Sequence, residues 1–262
     1  MGEPSANGRG WNPWSAIVAL GEALRFLTVI PQPWLPPMSE RSTAVAIPWF
    51  PAAGLLIGAL LLPVGWLGSL FWNDLVVAAL LVVAWGAITG GLHLDGLSDT
   101  FDAVLSWRPP ARKLEIMKDS RIGAMGALAL IAVLLLKVAL LAGAGSGWWQ
   151  AVLLAPVLGR WADCYGIFRF PAASEGGLGR MFHDQVQRLD VVIATGTALA
   201  AALLVAGLAG LVALLLVWAV AHLLAHWWTR DLGGLTGDTY GALCEIGEVV
   251  ALAALTAASA LH

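Results

Sequence analysis

Charge is what this sequence has least of. Only 12% of its 262 residues are charged, against 59% hydrophobic, whereas a soluble domain carries about 25% charged residues. That shortage excludes an ordinary water-soluble domain and points to an integral membrane protein. Cysteine is scarce too: Cys164 and Cys244 stand far apart without CxxC pairing. This argues against a disulfide framework and a thiolate metal site, and leaves both as packing residues. The opening "MGEPSANGRGWNPW" has no basic segment running directly into an apolar core. No secretory signal peptide is therefore expected, and the spans themselves supply the membrane address.

Long apolar runs are abundant. A helix needs roughly 20 apolar residues to cross the hydrocarbon core, which places about seven spans near 44–68, 75–92, 125–143, 148–167, 191–207, 210–228 and 246–261. The run from Val191 to Trp228 is too long for one helix, and "AGLAG" at its middle offers glycines for a tight hairpin. Residues 14–30 carry Glu22 and Arg25 and are closed by "PQPWLPP", which suits an amphipathic helix lying in the interface. The expected fold is all-α: a polytopic transmembrane helix bundle forming one domain over 1–262. Residues 1–13 are expected to be disordered.

The loops "GSLFWND", "GAGSGWWQ" and "AGLAG" contain no Lys or Arg. The opposite side collects nearly all of them, so by the positive-inside rule that side is cytoplasmic. Trp66, Trp72, Trp148, Trp149, Trp227 and Trp228 read as interfacial anchors. Lys137 falls within a span, either snorkelling outward or facing the bundle.

The second span ends in "GGLHLDGLSDTFDA". On a helix, the i, i+4, i+7 spacing of Asp95, Asp99 and Asp102 puts all three within about a 60° arc. At about 6 Å and an effective dielectric of about 20, each ionised pair repels by roughly 3 kcal/mol, so such a face raises its pKa values or recruits cations. Hard oxygen donors suit Mg²⁺ or Mn²⁺ shared with substrate phosphates. One aspartate capping a helix while the others are solvated is the plainer alternative. His93 points about 160° away from Asp95 on an ideal helix, which makes it a poorer partner for the row. Gly96 opens space beside Asp95 for a substrate or a neighbouring helix.

Other polar segments gather on the same side. In "LEIMKDSRIGAMG", Lys118 and Arg121 are candidate phosphate ligands, with Asp119 between them and Gly123 and Gly126 after them. "GGLTGDTYGALCEIGE" brings Thr236, Asp238 and Glu245 to the last span. It lacks the P-loop pattern, and Asp238 is either a cation ligand or a cap. Arg160 and Asp163, spaced i, i+3 inside the fourth span, are near enough to pair and would face the bundle interior. His222 and His226 are spaced i, i+4 without an evident third ligand, which favours packing over zinc.

Taken in order, "GGLHLDGLSDTFDA", "LEIMKDSRIGAMGALAL" and "GGLTGDTYGALCEI", with "ALRFLTVIPQP" and "LGRWADCYG", resemble the motifs of the cobalamin synthase family along essentially the whole chain. Ser98 and Ala103 stand where that pattern has alanine and often glycine; Ser98 would add a hydroxyl near the row. The resemblance implies an adenosylcobinamide-GDP ribazoletransferase reaction. A hydroxyl of α-ribazole or its 5′-phosphate attacks the cobinamide-linked phosphorus of adenosylcobinamide-GDP, GMP leaves, and adenosylcobalamin or its 5′-phosphate forms. On that reading Asp95, Asp99 and Asp102 hold Mg²⁺, with Mn²⁺ as the alternative, and one of them or His93 is the base. Lys118 and Arg121 meet the diphosphate, while Asp119, Arg160, Asp163, Thr236 and Asp238 are further substrate contacts. The expected setting is the bacterial inner membrane, with the site facing the cytoplasm. Lipid, the corrinoid nucleotide and α-ribazole are the expected partners, and no nucleic acid; a second copy, or upstream enzymes of the pathway on the cytoplasmic loops, is compatible with the sequence.

Two rivals are weaker. A CDP-alcohol phosphotransferase needs an Ala-Arg pair after its first DG, which "DGLSDTFDAVLSWRPP" does not supply. A transporter would place its charges along a path through the bilayer, whereas here they crowd at one face.

Overall fold

The computed structural model describes residues 13–37, 45–173 and 178–260. The stretch 1–12 lies outside the described residues, and helix starts at Pro13, one residue inside the segment expected to be disordered. The elements are α1 (Pro13–Leu27), α2 (Phe50–Ser69), α3 (Asp74–Thr89), α4 (Leu92–Val104), α5 (Pro110–Ile116), α6 (Ala124–Gly143), α7 (Trp148–Arg169), α8 (Leu178–Gln185), α9 (Arg188–Leu232) and α10 (Gly237–Ser259). Among the described residues the fold is all-α, with one isolated bridge between Ala172 and Leu235. Among the described residues, five helical stretches are long and apolar enough to cross a membrane, and α3 with α4, bent by 92°, is a sixth candidate.

α7 is the axis of the bundle, packing against α2, α9 and α10. Its approach to α2 depends on two glycines one turn apart. A Cβ on Gly54 would fall 2.4 Å from the Pro156 carbonyl oxygen, and one on Gly58 would fall 2.8 Å from the Leu153 Cα. Small residues at this spacing let helix backbones meet, which in lipid replaces the hydrophobic drive between helices.

The long apolar run folds back on itself, as its central glycines suggest. Gly207 leaves helical geometry at φ 55°, ψ −129°. A Cβ on Gly210 would lie 2.1 Å from the Ala202 carbonyl oxygen, a pair that a straight helix would hold about 12 Å apart. α9 is therefore two antiparallel limbs.

Three expected boundaries move. The second span stops at Thr89, because Gly90 and Gly91 both take left-handed φ, 62° and 71°, and turn the chain across the end of the bundle. The N-terminal helix ends at Leu27; the proline segment then folds back, its Trp34 ring occupying the space beside Gly21. The last helix starts at Gly237 rather than near 246, because Thr236 and Thr239 form a capping box that makes "GDTYGALCEIGE" the first half of the helix. Lys137 faces the bundle, 4% exposed, and Trp228 is a core residue rather than an interfacial anchor.

Candidate active site

α4 turns 92° from α3 at the end of the bundle, with its carboxylate face outward. Asp95 is exposed and Asp99 and Asp102 are half-buried, so the expected face exists, but its members are engaged differently. Asp102 accepts the Gly123 N–H at 2.7 Å and the Gly126 N–H at 2.8 Å, one on each oxygen. It thereby caps α6, where a carboxylate is favoured by the helix dipole. The two glycines serve this contact, since a Cβ on either would fall 2.4 Å from an Asp102 oxygen. Ser98 is buried against Gly126 rather than turned toward the row.

Asp99 is pushed up to about 6, first by burial and then by repulsion from Asp95, Asp238 and Asp102. Asp238 thus belongs to the cluster. Gly96 brings it there: a Cβ on Gly96 would lie 2.8 Å from the Asp238 carbonyl oxygen, while one on Gly241 would lie 3.2 Å from the His93 Cα. α4 and α10 touch backbone to backbone. The cap of α10 is Thr236, which accepts the Thr239 N–H at 3.2 Å, so Asp238 is not needed as a cap.

Beneath this face lies a buried polar network joining four helices. Arg160 does not pair with Asp163 as the spacing suggested; it pairs with Glu248 and reaches His93 Nδ1 at 3.3 Å. His93 Nε2 stands 3.5 Å from Asp163. A guanidinium only donates, so Nδ1 accepts and the neutral ring carries its proton on Nε2, toward Asp163. Both ring nitrogens are engaged, which leaves His93 unsuited as a base in this arrangement. Lys137 pairs with Glu245 at 2.6 Å and with Glu248, and sits 4.6 Å from the centre of the Trp85 ring. His93, Asp163 and Cys244 bring three ligand-type atoms within 4.8 Å of one another. The adjacent Arg160 already supplies positive charge there, so the trio reads as part of the ion network.

A cleft opens between the network and the aspartate face. Phe26, Phe50 and Phe182 form one wall; His93, Asp163 and Tyr240 lie on another, and Asp95 and Asp238 are also among its lining. The phenylalanines, from three separate elements, carry no spacing signal in the sequence. Only the tertiary fold brings them together.

Lys118 and Arg121 are exposed on the loop between α5 and α6. Arg121 forks onto Asp119, its Nη2 reaching Oδ2 at 2.5 Å and its Nε reaching Oδ1 at 3.0 Å. That pairing holds the Asp119 carboxyl at about 2. Asp102 pins Gly123, two residues from Arg121, so this loop borders the carboxylate face. His222 and His226 stack with ring centres 6.3 Å apart, and His222 bonds the Tyr165 hydroxyl at 2.7 Å, as packing groups do.

The family model described as cobalamin-5-phosphate synthase matches residues 19–256. A protein of Roseiflexus sp. (strain RS-1) named adenosylcobinamide-GDP ribazoletransferase is 64% identical over 248 residues, covering 95% of this chain and 92% of its own. Proteins of the same name from Herpetosiphon aurantiacus and Brevibacillus brevis are 52% and 38% identical, covering 91% and 89% of this chain and 96% and 95% of theirs. No solved structure matches.

Proposed function

Since the chain belongs to the cobalamin-5-phosphate synthase family and is a multi-pass membrane transferase, we propose that it is an adenosylcobinamide-GDP ribazoletransferase. The ribose hydroxyl of α-ribazole, or of its 5′-phosphate, forms a new ester bond to the cobinamide-linked phosphorus. The diphosphate bridge breaks, and GMP departs with the bridging oxygen. The observation that carries this reading is the juxtaposition of an aromatic cleft with a carboxylate cluster sharing Asp95 and Asp238. One side suits a flat base, and the other suits a metal-bound diphosphate.

The carboxylates are hard oxygen donors of the kind a divalent cation takes, although as placed they are not gathered as closely as the His93, Asp163 and Cys244 atoms and would draw together around the ion. Among the described residues no basic side chain pairs with Asp95, Asp99 or Asp238, and burial, followed by repulsion from Asp95, Asp238 and Asp102, raises Asp99, a setting in which a cation would be favoured. We assign Mg²⁺, or Mn²⁺, to Asp95, Asp99 and Asp238, with Asp102 anchoring the row to α6. When bound, the ion would neutralise the diphosphate and polarise its phosphorus–oxygen bonds. Arg121 and Lys118 supply further positive charge at the rim, Arg121 by exchanging Asp119 for phosphate. The charged loops argue for a cytoplasmic-facing site in the bacterial inner membrane.

The deciding experiment incubates purified protein with adenosylcobinamide-GDP, α-ribazole and Mg²⁺ and follows cobalamin and GMP by mass spectrometry. Both products are expected in detergent without any gradient. Their absence from folded protein would remove the assignment.

A further inference from the structure

We propose that the cleft is the subsite for the nucleoside acceptor, its aromatic base packed against Phe26, Phe50 and Phe182 and a ribose hydroxyl donated to Asp163. This rests on the reaction proposed above and adds where the acceptor sits. Two atoms point to a ligand. Among the described residues, Asp163 Oδ1 and the Tyr240 hydroxyl are buried, have no hydrogen-bond partner and belong to residues lining the cleft, the weakly donating Cys244 thiol being the nearest other polar group to Asp163 besides His93. Asp163 is 2% exposed and Tyr240 4%. An orphaned buried polar group destabilises the fold unless a ligand satisfies it.

The rest of the cleft is built to match. Phe26 and Phe50 lie nearly parallel with centres 5.9 Å apart, and Phe182 meets them edge-on at 5.6 and 6.4 Å. Such a wall packs well against a planar ring system. The other Asp163 oxygen faces His93 Nε2, and His93 is held by Arg160, itself paired with Glu248, so the free oxygen is fixed in direction. Asp95 and Asp238 also line the cleft, which sets the acceptor beside the carboxylate cluster and leaves the corrinoid nucleotide to the mouth.

The test measures binding to the full-length protein in detergent by equilibrium dialysis, using α-ribazole, its free base 5,6-dimethylbenzimidazole, and adenosylcobinamide-GDP. Phe182→Ala is expected to weaken α-ribazole and free base by about tenfold and leave adenosylcobinamide-GDP unchanged. Asp163→Asn is expected to weaken α-ribazole but not the free base. Equal losses for α-ribazole and the corrinoid, or none for α-ribazole, overturn the proposal. Phe182→Leu serves if the alanine variant does not purify as a monodisperse species, with the same outcomes. If wild-type protein neither binds α-ribazole nor forms product, the reaction itself is wrong; turnover with normal α-ribazole binding by the Phe182 variant refutes only the subsite.

Discussion

At the scale of single residues, the aspartates divide their labour, and substitution separates them. Asp99→Asn removes a charge from the open cluster and is expected to abolish most turnover without lowering, and at neutral pH slightly raising, the melting temperature of the metal-free protein in detergent. Asp102→Asn weakens two charge-assisted bonds to α6 and is expected to cost about 1–3 kcal/mol of stability as well. An unshifted melting temperature for Asp102→Asn would contradict the capping role. The elevated Asp99 sets a pH dependence. Its folded pKa of about 6 exceeds the ordinary 3.8, so the metal-free folded state retains a proton that the unfolded chain releases. The stability from that proton is greatest at low pH and is lost as pH rises through about 6. Divalent-ion affinity runs the other way, because ligation needs the ionised carboxylate, so Mg²⁺ titration should be weaker at about pH 5 than at about pH 7.5. The row itself was legible, since i, i+4, i+7 spacing fixes a face whatever surrounds it. What each aspartate binds was not, because Gly123 and Asp238 come from distant segments. Likewise, i, i+3 spacing allowed Arg160 to meet Asp163, but Glu248 on α10 competes for the guanidinium and only the packed bundle shows it.

At the scale of elements, the corner between α3 and α4 decides where the chemistry lies. Gly91 has open space around its Cβ position but a φ of +71°, so Gly91→Ala meets strain without a clash. The expected cost is about 1–2 kcal/mol. A drop in melting temperature with reduced turnover is anticipated, and an unaffected variant would show that the corner relaxes freely. The two-limbed α9 was foreseeable from "AGLAG", because a run too long for one span must turn where glycine permits. The start of α10 was not. Its first turns look too polar for a span, yet Glu245 and Glu248 are tolerated because their partners reach them from α6 and α7. Hydropathy averages over a window and cannot register a cation on another helix.

At the scale of the whole molecule, Lys137 joins α6 to α10, and Arg160 joins α7 to α10 and α4. Lys137→Ala leaves two buried carboxylates short of a cation, and breaking such a pair typically costs about 3–5 kcal/mol. The expected result is a large fall in melting temperature, with Lys137→Arg partly restoring it; an alanine variant as stable as the parent would mean that the glutamates are otherwise compensated. A last consequence concerns biogenesis. α7 belongs to the least apolar candidate span, with a mean hydropathy of 1.2 against 2.6 for α6, and 83% of that window is covered by protein. Its environment in the finished bundle is other helices more than lipid, so a segment carrying Arg160 and Asp163 is a poor client for the insertion machinery on its own. Full neutralisation of Arg160 therefore waits on α10, made after α7, to deliver Glu248, and the fourth span settles only when that later helix has packed against it.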